Sequence, residues 1–202
     1  MNADTTQLVA VAAALGWASG LRLYAVLFLT GLAGFMGWVD LPPGLRLLQH
    51  PLMLGASGLM LAVEFCADKV PGVDTLWDAL HTLIRIPAGA WLAASVFGGD
   101  GATWTTIAAL LGGGLAATAH AAKATTRAAA NTSPEPFSNI GLSLLGDAAV
   151  PTMLWLSWAH PWWCLAALAL AVAAGIALVV VLFRFLRALF SRFAPRVAAS
   201  SS

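Results

Sequence analysis

Ionisable side chains are sparse in this sequence, and two short stretches hold several of them at helical spacing. Glu64 and Asp68 are four residues apart, and Asp74, Asp78, His81 and Arg85 follow at intervals of 4, 3 and 4. Each set therefore shares one helix face. Further along, His120, Lys123 and Arg127 are spaced by 3 and 4, and Asn131, Glu135 and Asn139 recur every four residues. The first stretch is rich in carboxylates and ends its first turn on Lys69; the second is rich in bases. Facing each other, the two would pair. Opening on a cavity, they would bind an ion or a small polar solute. With His81 and His120 turned toward Glu64, Asp68 and Asp78, they would hold a metal ion and activate water. Arg22, in Ser19-Gly20-Leu21-Arg22, needs a carboxylate partner, for which Glu64 and Asp68 are the candidates, and Asp147 stands alone in another apolar run.

The background of these groups sets their environment. Of 202 residues, 60% are apolar and 9% charged, and the mean hydropathy is +0.84. A soluble domain carries about 25% charged residues, so this chain cannot face water over its whole surface. Nineteen charges also exclude a nucleic-acid binder, a disordered tail and a soluble globular enzyme. The composition is that of an integral membrane protein, in which a charge at depth is kept only when it is paired or lines a wet cavity. Cys66 and Cys164 sit in apolar stretches with no CxxC or zinc spacing and read as core filler. The start of the chain carries Asp4 and no base, so the first apolar segment is expected to remain in the protein.

Elements that could position the polar groups follow from runs long enough to cross a bilayer core, about 20 apolar residues each. Six such runs lie near residues 7–37, 51–68, 79–97, 103–123, 141–159 and 162–187. The first is long enough to be tilted or broken. With six spans, Lys69, Arg85, Lys123, Arg127, Arg184, Arg187, Arg192 and Arg196 fall on one side and Arg46 alone on the other. The positive-inside rule then places both termini in the cytoplasm. Trp77, Trp91, Trp104, Trp155, Trp158, Trp162 and Trp163 fall near the expected interfaces.

Residues 51–97 and 103–159 read as two similar helical hairpins. Gly58-Leu59 and Gly114-Leu115 each open a helix that ends in charges and exits into a Pro-containing polar loop. Asp74 and Ser133 are the expected N-caps after those loops, with short broken or re-entrant segments allowed there. The repeat would be parallel, with its axis along the membrane normal. Gly20 and the glycines at 112–114 would permit close helix packing, and the small residues from Ala166 to Ala177 offer a surface for a homo-oligomer.

The fold class expected is thus an all-helical, single-domain, six-span membrane protein with a two-hairpin repeat. Three functions compete: a transporter or channel for a small solute or ion, with a cation slightly favoured by the four carboxylates; a membrane-embedded metal-dependent enzyme; and a scaffold whose charges are internal salt bridges. No HExxH, GxSxG or P-loop sequence supports the enzyme.

Glu64-Phe65-Cys66-Ala67-Asp68-Lys69-Val70-Pro71-Gly72-Val73-Asp74, with Trp77-Asp78 and His81-Thr82, resembles the first long polar block of a bacterial membrane family known only as domain of unknown function 4126. His120, Lys123, Arg127, Asn131, Ser133-Pro134-Glu135-Pro136 and Ser138-Asn139 resemble a further block, and Ser19-Gly20-Leu21-Arg22 an earlier one. The likeness covers nearly the whole chain and implies no activity. Glu64-x-x-x-Asp68-Lys69 is also similar to the E-x-G-D-K/R motif of a family of cation/proton exchangers, with one residue more and Ala67 in place of glycine.

Overall fold

The computed structural model describes residues 4–70, 72–98, 101–130 and 137–193. Among them the chain forms helices and no strand: α1 (Thr5–Phe35), a 3₁₀ turn (Pro43–Gln49), α2 (Pro51–Ala67), α3 (Val73–Val96), α4 (Ala102–Ala130), α5 (Phe137–Ala159) and α6 (Pro161–Phe193). Each apolar run of the sequence coincides with one α helix. Prolines mark two starts, since Pro51 and Pro161 fill first helical positions where the missing N–H would have no partner anyway. His50 caps α2, its Nδ1 accepting from the Leu52 N–H at 3.3 Å.

Four helical segments are long and apolar enough to cross a membrane: α1, α4, Ile140–Ala159 of α5 and Pro161–Phe185 of α6. The 3₁₀ turn and α2 pass the same criteria only as a pair bent by 70°, the geometry of a broken span or a re-entrant loop. α3, which carries Asp74, Asp78, His81 and Arg85, is not among the four. Several long apolar helices of this kind mark the chain as a membrane protein.

Burial is uneven. α1 packs against every other α helix, and 72% of its most apolar stretch is buried, against 6% in α6, whose mean hydropathy reaches 2.9. A bilayer accounts for that contrast: an all-round apolar helix can face lipid, while the hub needs residues that fit neighbours. α3 pairs most extensively with α4, whereas α2 with α3, and α4 with α5, touch little.

Small residues let α1, α3 and α4 approach to backbone contact. A Cβ on Gly16 would lie 2.6 Å from the Gly112 Cα, and one on Gly20 would collide with the Ala116 carbonyl. α1 breaks at Arg22, where φ −147° and ψ 86° leave the helical region. The break frees carbonyls of the preceding turn, and the Lys123 ammonium occupies one of them, donating to Leu21 O at 3.0 Å. One sequence expectation is corrected here. Asp74 is not the N-cap of α3; Gly72 is, at a φ of 87° that a side chain would resist. Asp74 lies in the first turn, its Oδ1 accepting from the N–H groups of Gly72 (2.8 Å) and Thr75 (2.6 Å). Ser133 is outside the described residues.

Candidate functional site

The polar stripes of α2, α3 and α4 converge at the end of the bundle that holds the α2–α3 turn and the C-terminal part of α4. Asp68, the C-cap of α2, is fully buried and is the hub. Its carboxylate meets Arg22 Nη2 at 3.1 Å, Lys123 Nζ at 3.2 Å and Arg127 Nη1 at 3.1 Å. Asp78 faces the same cations from α3, with Lys123 Nζ at 3.1 Å and Arg127 Nε at 3.8 Å, and takes Arg85 Nη1 at 2.7 Å. Arg85 Nη2 donates to Glu64 Oε1 at 2.7 Å, a pair with neither side chain exposed. Asp74 lies 3.5 Å from Arg127 Nη1.

Two further groups close the network. Asp147 of α5 meets Arg22 Nη2 at 2.9 Å and Lys69 Nζ at 3.5 Å. Ser143, one helical turn before it, accepts from Arg22 Nη2 through its hydroxyl at 2.8 Å and its carbonyl at 3.2 Å. Among the described residues the linked charges are Arg22, Lys69, Arg85, Lys123 and Arg127 against Glu64, Asp68, Asp74, Asp78 and Asp147, five of each sign. Such balance is what a low-dielectric interior demands, since one unpartnered charge costs several kcal/mol.

Both histidines lie beside the network with their ring nitrogens occupied. His120 Nδ1 receives Arg85 Nη1 at 3.2 Å, so its proton sits on Nε2 and points to Thr82 Oγ1 at 2.7 Å; Thr82 in turn donates to the Asp78 carbonyl. His81 stacks on Trp77 at 4.1 Å, its Nδ1 donating to the Trp77 carbonyl at 2.8 Å and its Nε2 accepting from Tyr24 OH at 3.2 Å. The five candidate metal ligands, Glu64, Asp68, Asp78, His81 and His120, are thus each engaged with other partners. Among the described residues no three His, Cys, Asp or Glu side chains gather in a way that would hold a metal ion.

A cavity of about 270 Å³ adjoins the network between α1, α4, α5 and α6. Arg22, Asp68, Lys123, Arg127 and Ser143 form its polar wall; Trp17, Leu21, Leu142, Leu145, Ala149 and Leu178 form most of the rest. Its volume equals that of roughly nine waters at about 30 Å³ each.

Of the residues singled out from the sequence, Arg22, Glu64, Asp68, Lys69, Asp74, Asp78, Arg85, His120, Lys123 and Arg127 come together, and His81 bonds instead to Tyr24 and the Trp77 carbonyl. Asn131 and Glu135 are outside the described residues, as is the side chain of Asn139. Ser143, Tyr24 and Thr82 were not among them. Asp147 carried a signal, a lone carboxylate in an apolar run, and Ser143 at i−4 shares its helix face.

No curated protein and no solved structure matches the chain. A family model does match residues 9–184, most of the length. The chain belongs to the family described as domain of unknown function (DUF4126).

Proposed function

We propose that the chain is a six-span carrier or channel of a bacterial inner membrane, with both termini cytoplasmic, that passes a small solute through the cavity beside the Asp68 network. The observation that carries this reading is the cavity itself: Arg22, Asp68, Lys123 and Arg127 turn charged atoms toward a space large enough for a small solute. A network needed only to hold helices together gains nothing from lining a void. The six α helices and the eight-to-one distribution of bases support the topology. The similar proline-containing polar sequences over 70–78 and 131–139 support the hairpin repeat, and the nearly unburied α6 gives a second copy a surface to pack on.

The choice between a cation and other solutes changes with the geometry. Each of the four, Glu64, Asp68, Asp74 and Asp78, already has a guanidinium or ammonium partner, so the four-acid argument for a cation loses its force. A second reading, a purely structural network, is favoured by the balanced charges. It does not lend itself to a simple charge-swap test, because Asp68 serves three cations at once and exchanging it with Lys123 would strand Arg22 and Arg127.

Reconstitution into proteoliposomes separates the two. Purified protein should move a solute from a broad ion and metabolite panel, and Lys123→Gln should abolish that flux while the variant stays folded and monodisperse. Equal flux in wild type and folded Lys123→Gln, or no flux of any solute, would favour the structural network.

A further inference from the structure

The cavity is chemically lopsided. Among its lining residues the charges are Arg22, Lys123 and Arg127 against Asp68, three positive and one negative, for a wall of net +2. The carboxylates that balance this excess, Asp74, Asp78 and Asp147, are not part of the wall. Arg22 is 2% exposed, and its Nη1 has no hydrogen-bond partner among the described residues although Nη2 has several. A buried guanidinium N–H without an acceptor, on a side chain that lines the cavity, is a donor that a small side-chain shift would offer to an anion seated there.

The rest of the wall is apolar and leads outward. Leu145 and Leu178 lie at its edge with 68% and 40% of their surface exposed. α4 and α5 touch little, so the space between them is closed mainly by α1 behind and α6 at one side. In a bilayer, exposed leucines on α5 and α6 face acyl chains. The cavity therefore joins an electropositive floor to a side opening toward lipid.

We propose that this cavity is a seat for an anionic amphiphile, with a phosphate- or carboxylate-bearing head on Arg22, Lys123 and Arg127 and an apolar tail leaving past Leu145 and Leu178. The inference rests on the transport reading and names its solute class. About 270 Å³ accommodates a head and its first methylenes, while the remaining tail stays in the membrane. Asp68 holds the three cations in place when the seat is empty; an incoming anion meets Lys123, the most exposed of them, and the Arg22 Nη1 N–H once that guanidinium turns toward it. A bare cation finds no surplus carboxylate here.

The test is binding, read independently of flux. Native mass spectrometry and thermal unfolding of the purified full chain in neutral detergent would be compared after adding phosphatidylglycerol, phosphatidylcholine or inorganic phosphate. Phosphatidylglycerol should give a stoichiometric adduct and raise the midpoint; the other two should do neither. Two variants localise the seat. Arg22→Gln should weaken binding roughly tenfold or more. Gly146→Leu should abolish it by filling the space beside Arg22, where a Cβ would have only Arg22 Nε near, at 3.5 Å. Because replacing an interior helical glycine favours the helix, Gly146→Leu should unfold no earlier than the unliganded wild type. Equal binding of phosphatidylcholine, equal binding of inorganic phosphate, or full phosphatidylglycerol binding by folded Gly146→Leu would each overturn the proposal. Binding without any flux would leave the seat standing and remove the transport reading; flux with no anion binding would do the reverse.

Discussion

Asp68 is the residue on which most depends. With three cations within 3.2 Å and no exposure, its replacement by Asn leaves excess positive charge where water is scarce. Asp68→Asn should destabilise the protein by about 3–5 kcal/mol, read as a lowered thermal midpoint in detergent. Asp147→Asn should cost less, since Asp147 is 23% exposed and Arg22 keeps Asp68. Equal losses would mean that Asp68 is not the hub. Much of this was legible in the sequence, because Glu64, Asp68, Asp74, Asp78, Arg85, Lys123 and Arg127 fall at intervals that align them on helix faces. What the intervals could not supply was partner choice. Glu64 and Asp68 share a face one turn apart, yet Glu64 pairs with Arg85 of α3 while Asp68 draws on α1 and α4. Nor does spacing say whether a histidine faces the charges, and His81 turns to Tyr24 and Trp77 instead.

The helices owe their ends to the same pairing. The apolar runs of the sequence place the third span near 79–97 and the fourth near 103–123, leaving Asp74 and Asp78 before the one and Arg127 after the other. α3 and α4 run instead from Val73 and on to Ala130, because their charged turns are buried against each other rather than ending in solvent. The close approach of α1 to α4 was legible in Gly20 and the glycines at 112–114, but the break at Arg22 was not. It coincides with a contact from another helix, Lys123 donating to the Leu21 carbonyl of α1, which no spacing in the sequence announces. Crowding at Gly112 has a simple test. Gly112→Val puts methyl groups against the Gly89 carbonyl and Ala93 and should cost about 1–3 kcal/mol or more. Gly114→Ala meets open space and should be neutral or stabilising by up to about 1 kcal/mol. Comparable losses in both would contradict the packing described for α1, α3 and α4.

At the scale of the whole molecule, the chain is a bundle whose best-buried helix is its first and whose most apolar helix is its last, an inversion that only lipid makes sense of. Composition alone made membrane residence legible. The 3₁₀ turn and its 70° bend into α2 were not, since two prolines and a glycine over residues 42–44 read from sequence as a loop. Reporter tags at the two ends should both appear in the cytoplasm, and a periplasmic C-terminus would overturn the six-span topology. The central claim is that the Asp68 network borders a wet, solute-accessible cavity rather than a dry salt-bridge core. Thr126 lines that cavity on the same helix as Lys123 and Arg127, and its hydroxyl donates to the Ala122 carbonyl at 2.7 Å. With the exposed Cys66 replaced by Ser, Thr126→Cys in proteoliposomes should react with a membrane-impermeant thiol reagent from the cytoplasmic side. Complete protection from both sides, in a folded protein, would contradict the account.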